Sequence, residues 1–291
     1  MDREQVKQKC RELFEQVPGN VLDRTDRIPA GIGGTALFDS PLVGFGASDD
    51  GLFDRFKEFG VIGPWHMSPE EWLPDAKTVI SLFFPMSGAV LESNRAAEGK
   101  ASALWTCARV EGQEFISAYT EALRDWFREQ GYGACAPCID PRFESVSGGR
   151  GIDEYPGMDA RTFGSRWSER HVAFACGLGT FGLSAGLITR RGIAGRFTSV
   201  IVTAPLGADV RPYTGVYEYC SRCGACVRRC PAGAISLESG KDHVKCRQFL
   251  KESKAIHYPR YGCGLCQTGV PCEHAIPPRA GGSNAGNDSR I

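Results

Sequence analysis

The chain has 291 residues, with 34 Lys+Arg against 34 Asp+Glu and a formal net charge of zero. That balance removes any argument for nucleic-acid or membrane binding through bulk charge, and no apolar run is long enough to span a bilayer. The length suits one medium domain with a small appendage. The cysteines place the appendage, because eight of the 13 follow residue 219.

In chain order, residues 3–16 read as a charged amphipathic helix with Val6, Leu13 and Phe14 on its apolar side. No apolar leader precedes it, which gives a cytoplasmic reading. The glycine-rich stretch from Pro29 to Gly51 reads as irregular. Thr78–Phe84 (TVISLFF) has strand composition and is closed by Pro85. Gly112–Gln130 is the clearest amphipathic helix, with Phe115, Tyr119, Ala122, Leu123, Trp126 and Phe127 at helical spacing and a stop at Gly131. Trp167–Cys176 reads as another helix, with Ser165 or Ser168 available as a cap. Leu183–Thr189 and Phe197–Thr203 then read as two strands joined around Gly192 and Gly195. The pattern predicts an α+β domain over residues 1–210, a cysteine-rich domain over 211–277 and a disordered tail over 278–291.

A stretch as short as 211–277 buries too little apolar surface to fold without staples. In a reducing compartment, clustered cysteines serve as metal ligands more often than as disulfides. Cys220, Cys223, Cys226, Cys230 and Pro231 give the spacing C-x2-C-x2-C-x3-C-P, which winds a loop round one [4Fe-4S] cubane and sends the fourth thiolate to a second. The second run, Cys263-x2-Cys266-x5-Cys272, has Gly269 where a regular run would place a cysteine, and Cys246 is the available substitute. The spacing therefore predicts two clusters, one on Cys220, Cys223, Cys226 and Cys272, the other on Cys230, Cys246, Cys263 and Cys266. Zinc is the competing reading, but four thiolates satisfy one zinc, and eight in this order favour cubanes.

Cys135 and Cys138 form a C-x2-C pair without thioredoxin-like surroundings and read as ordinary half-buried thiols; Cys10, Cys107 and Cys176 read as structural. The five histidines show no metal-ligand spacing. Gly177-Leu-Gly179-Thr-Phe-Gly182 matches G-x-G-x-x-G, yet a helical segment precedes it and strands follow, the reverse of a dinucleotide fold. The glycines read instead as a tight turn or as backbone open to a flat cofactor.

With these pieces in order, the chain resembles the epoxyqueuosine reductase and reductive dehalogenase superfamily of corrinoid iron-sulfur proteins. The resemblance lies in HMSPEEWLPDAKTVISLFFP (66–85), ARVEGQEF (108–115), ERHVAFACGLGTFGLSAGLIT (169–189) and YGCGLCQTGVPCEHAIP (261–277). It implies a nitroreductase-like domain holding base-off cobalamin, lined by Gly177, Gly179, Thr180, Phe181, Gly182, Leu183 and Ser184, with a ferredoxin-like double [4Fe-4S] module packed over it. Electrons from an external low-potential donor would pass through both clusters to cobalt and reduce a small molecule, in an oxygen-sensitive oxidoreductase. The family's substrate-side motif places an Asp shortly before a Glu matching Glu169. Here Asp140 stands 29 residues ahead of it as the candidate proton donor, with Tyr155, Asp159 and Arg161 as competitors. Nothing resembling the family's tRNA-holding repeats follows Cys272, so no tRNA is expected. The alternatives are an electron-transfer or reactivating partner of a separate corrinoid protein, and a flavin in place of the corrinoid.

Overall fold

The computed structural model describes residues 1–23, 25–147 and 163–278. Tyr155, Asp159, Arg161 and the tail from residue 279 fall outside them. The first part holds helix α1 (Arg3–Gln16), strand β1 (Leu42–Ala47), short helices α2 (Leu52–Arg55) and α3 (Pro69–Trp72), β2 (Thr78–Pro85), α4 (Gly88–Arg95) and α5 (Ala103–Glu129). Then come β3 (Ala134–Cys135), β4 (Ser145–Ser147), β5 (Phe163–Ser165), α6 (Glu169–Ala175), β6 (Gly179–Phe181), β7 (Leu187–Thr189) and β8 (Gly195–Val202). The cysteine-rich part holds α7 (Ala225–Arg228), β9 (Ile235–Ser236), β10 (Gly240–Lys241) and α8 (His243–His257).

The central sheet is antiparallel in the order β1-β2-β8-β3. β2 is buried along its whole length, which explains an apolar run without alternation. Its side chains still divide by the strand period of two. Ile80, Leu82 and Phe84 pack with Val200 and Val202 against Phe115, Ile116 and Tyr119 of α5 and Val6 of α1. Val79 and Ile201 pack on the other face with Trp72, Trp167, Val172 and Cys176. Local chemistry starts the long helices. Asp2 and Gln5 form a reciprocal capping box on α1, and the Ser102 hydroxyl accepts from Trp105 N at 3.1 Å on α5.

Three expectations are corrected. The stretch Pro29–Gly51 is not wholly irregular, because Leu42–Ala47 is an edge strand paired from Leu42↔Phe83 to Ala47↔Thr78. Gly44 and Gly46 hid it: a Cβ on Gly44 would stand 2.5 Å from the Cys176 carbonyl oxygen, and one on Gly46 2.9 Å from its Sγ. The strand needs glycine to lie against the end of α6. Helix α5 starts at Ala103 rather than Gly112. Gly112 is interior because a Cβ there would meet the Phe38 ring at 2.7 Å. Finally, the two strands after the glycines are not partners: β7 pairs with β6, from Gly179↔Thr189 to Phe181↔Leu187, while β8 joins the central sheet.

The cysteine-rich part is tied to this frame by specific polar contacts. Asn94, fully buried at the end of α4, donates to Cys263 O at 3.2 Å and to Thr268 Oγ1 at 3.0 Å. Ile193 N and Ala194 N donate to Cys272 O (2.8 Å) and Glu273 O (3.2 Å). The buried Glu273 side chain takes Arg95 Nη2 at 2.6 Å and Gly269 N at 2.6 Å. Charge-assisted bonds of this kind are each worth about 1.5–3 kcal/mol. Glu273→Ala should therefore lower unfolding stability by roughly 2–3 kcal/mol and hasten iron loss; denaturant melts with an unchanged midpoint would show that the latch carries no load.

Candidate functional site

The eight cysteines fall into two groups. Cys220, Cys223, Cys226 and Cys272 wall one cavity together with Gly182, Leu183, Ser184, Ile188 and Ile193. Burial and the other thiols of this group push Cys272 up to about 12. Cys263 is likewise pushed up to about 12, first by burial and then by Cys266, Cys246 and Cys230. The groups adjoin, since Cys226 also feels Cys266.

The local fold explains the spacing. In Cys223-Gly224-Ala225-Cys226 and Cys263-Gly264-Leu265-Cys266, the glycine takes a left-handed φ, +70° and +67°, and opens a short helical turn that carries the next cysteine. Gly264 also lies on the Trp105 ring, where a Cβ would approach to 1.9 Å. Gly269 has φ +66° and faces Arg229. A cysteine there would be strained, which accounts for the missing thiol in the second run and for Cys246 on α8 beside Cys230, Cys263 and Cys266.

Among the described residues, no three His, Cys, Asp or Glu side chains converge as a single metal ion requires. Tetrahedral zinc would draw its sulfurs to within about 4 Å of one another. Four thiols spread round a cavity fit the corners of a cubane instead.

Of the two readings of the glycine segment, the structure displays the tight turn. Gly177 has φ +79° and turns the chain out of α6. A Cβ on Gly179 would sit 2.0 Å from the Ile188 carbonyl oxygen, so this glycine lets β6 and β7 close on each other. The buried Thr180 hydroxyl accepts from Tyr219 N at 2.8 Å, and Phe181 packs against His171 with centroids 4.8 Å apart. Gly182, Leu183 and Ser184 line the first cysteine cavity. The segment thus supplies part of the wall of the first cysteine cavity, and its glycines are used by backbone packing.

Asp140 and Glu169 have opposite electrostatics. Arg142 grips the Asp140 carboxylate through Nε and Nη2, both at 2.9 Å, and this pairing pushes Asp140 down to about 2. It is therefore an ionised ion-pair partner rather than a protonated acid. Glu169, at the start of α6, has no hydrogen bond of good geometry on either carboxylate oxygen. Burial raises it to about 7, offset in part by nearby Ser199 and Cys138. Its folded value lies above the unfolded one, so the stability it contributes is complete below about pH 4.5 and is lost as pH rises to about 7. Glu169→Gln should remain neutral at every pH and gain roughly 3 kcal/mol over the native chain at pH 8. Parallel unfolding curves at pH 6 and 8 that show no widening gap would contradict this placement.

Cys135 and Cys138 are held as thiols. Burial, then Asp140, pushes Cys135 up to about 11; burial, then Glu169, pushes Cys138 to about 12.

Beside the second cysteine group, Arg170 is exposed, while His171 and Arg196 are half-buried. Arg170 feels Cys266 and Cys246 electrostatically. Phe163 of β5 stacks on His243 of α8 at 4.5 Å, joining the two parts of the chain.

A 4Fe-4S binding domain match covers residues 213–236. No curated protein matches the chain. Among solved structures, the catabolic reductive dehalogenase NpRdhA superposes with a TM-score of 0.52 at 16% identity, over 93% of this chain and 37% of that one. The fold is that of a reductive dehalogenase. A second dehalogenase structure, said to suggest a mechanism for B12-dependent dehalogenation, gives 0.50 at 16% identity over 93% of this chain and 36% of that one. The epoxyqueuosine reductase from Bacillus subtilis gives 0.46 at 19% identity over 94% and 68%. The chain thus spans little more than a third of the dehalogenases and about two thirds of the reductase. No helix among the described residues is long and apolar enough to cross a membrane.

Proposed function

We propose that the chain is a corrinoid-dependent iron-sulfur oxidoreductase that takes electrons from an external low-potential donor and reduces a small molecule. The observation that carries this reading is the serial arrangement of the thiols. Cys223 of the first group is exposed, and Cys226 adjoins Cys266 of the second. Two [4Fe-4S] clusters on these thiols would form a path from the surface into the protein. The B12-dependent mechanism suggested for a dehalogenase of the same fold supports a corrinoid at the end of that path.

When bound, the clusters relay single electrons and the corrinoid supplies a metal centre reducible enough to break a substrate bond. The chain's own residues do the rest. The cysteines deprotonate on ligation, and Trp105 and the glycine turns hold the second group in place. Glu169, protonated up to about pH 7, is the better proton store, and Asp140 serves to fix Arg142.

Anaerobically isolated protein, stripped of its clusters, should retain a corrinoid spectrum. A flavin spectrum, or a colourless protein, would reject the corrinoid. If the chain only reactivates a separate corrinoid protein, it should bind that protein and turn over no small substrate.

A further inference from the structure

We infer that the groove between α1, the β1 edge and the turn after β7 is a docking surface for an acidic electron-transfer protein, the external donor of the proposed function. This deepens that reading and rests on it in taking the first cysteine group as the point where electrons enter.

The groove encloses about 630 Å³ and shares no wall residue with the first cysteine cavity. The two are neighbours all the same. Tyr219 lines the groove, Cys220 lines the cavity, and both pack on the cluster of Ile188, Ile193, Ala225 and Val270. The Tyr219 backbone is pinned, its N–H donating to the buried Thr180 Oγ1 at 2.8 Å. A molecule in the groove therefore lies against the residue that precedes a thiol of the first group.

The chain as a whole carries no net charge, but the groove does. Its walls hold Lys7 and Arg11 from α1 and Arg190 and Arg191 from the turn after β7, against the single carboxylate of Asp209. Asp209 is committed to the fold: it pairs with Arg3 at 2.7 Å and accepts from Phe45 N at 3.1 Å. Lys7 pairs with Glu4 and Arg191 with Asp39. Arg11 donates to the neutral Gln8 side chain, and among the described residues Arg190 meets no carboxylate. Both Arg11 and Arg190 are exposed, so their charge is free to act on a partner.

Val210, 90% exposed, and Ile276, 39% exposed, line the same groove. Exposed apolar side chains ringed by charge are the anatomy of a protein interface. A small polyanion would instead need donors gathered in the floor, and no buried nitrogen or oxygen of a wall side chain lacks a partner. Cations on exposed side chains steer an encounter more than they grip a ligand. Each encounter would pass one electron from the partner's reduced centre to the first iron-sulfur group, oxidising one and reducing the other, with no bond made or broken.

The test takes the anaerobically isolated chain with its clusters. Stopped-flow and calorimetric titrations use an oxidised plant-type [2Fe-2S] ferredoxin and a flavodoxin, both acidic, with basic cytochrome c and inorganic tripolyphosphate as controls. At least one acidic protein should bind, cytochrome c should not, and association should slow steeply as salt is added. Arg11→Glu and Arg190→Glu together should slow association about ten-fold or more at low salt, with Arg190→Gln in between. Val210→Ser should hasten dissociation, and Lys100→Glu, exposed and outside the groove, should change neither rate. Iron content and thermal midpoint, unchanged in all of these surface variants, separate a docking defect from misfolding.

Equal rates for native and variant chains, or no binding of either acidic protein, would overturn the surface. Tripolyphosphate binding that needs Arg190 and ignores Val210, while neither acidic protein binds, would give the groove to a small anion and also overturn it. Dithionite reduces the clusters without docking and separates the two claims. If dithionite bleaches every variant while ferredoxin bleaches the charge-reversed chain slowly, the surface is supported. If ferredoxin bleaches all chains alike, the donor docks elsewhere and the proposed function stands. Centres that dithionite does not bleach would reject the redox reading, and the surface with it.

Discussion

Cys223→Ala should lower iron from about eight to about four atoms per chain, leave the second cluster's signal intact and loosen the segment around residues 213–236. Cys223 is the exposed thiol of the first group, with Cys220, Cys226 and Cys272 round the same cavity. Three remaining thiolates cannot close a four-iron site, and ligation free energy in so small a module is folding free energy. Iron and acid-labile sulfide analysis, with limited proteolysis, reads both effects. Cys246→Ala should remove the other cluster, and Cys135→Ala, which alters only a protonated thiol beside Asp140, should leave iron unchanged. Full iron in the Cys223 variant would contradict the grouping.

Gly179→Val should be nearly as damaging, for a reason the sequence concealed. Spacing suggested glycines kept open for a flat cofactor, so that a bulky residue would expel the cofactor and spare the clusters. The backbone gives a different result. The Cβ of any residue at 179 would lie 2.0 Å from Ile188 O and 3.0 Å from Thr189 Cα, and main chain on both sides cannot rotate away. The β6–β7 hairpin would have to open. It carries Ile188, and Gly182, Leu183 and Ser184 lie in its turn, all walls of the first cysteine cavity. Expected outcomes are loss of the first cluster and a destabilisation of about 3 kcal/mol or more. A variant that keeps full iron and loses only the corrinoid would restore the earlier reading.

Legibility in the sequence followed how local each constraint is. Cluster ligation fixes cysteine spacing over a few residues, so Cys220, Cys223, Cys226 and Cys230 could be read directly. In the irregular second run the spacing alone left a gap; the structure shows φ +66° at Gly269 and places Cys246 beside Cys230, Cys263 and Cys266. β2 and the second half of α5 declared themselves by composition and period. β1 did not, because two of its six residues are glycines that accommodate α6, and α4 did not, because its chief contribution is Asn94, a polar residue buried to hold the Cys263 loop. Glu169 and Asp140 could not be ranked, since Glu169 depends on its enclosure in the fold, and the closeness of Arg142 in sequence does not show that its guanidinium grips Asp140.

The proposed function stands on thiols placed to hold two iron-sulfur cubes in series. Its most direct measurement is the iron, acid-labile sulfide and zinc content of the chain isolated without oxygen. About eight irons and eight sulfides per chain, with negligible zinc, are predicted; two zinc ions and no sulfide would contradict it.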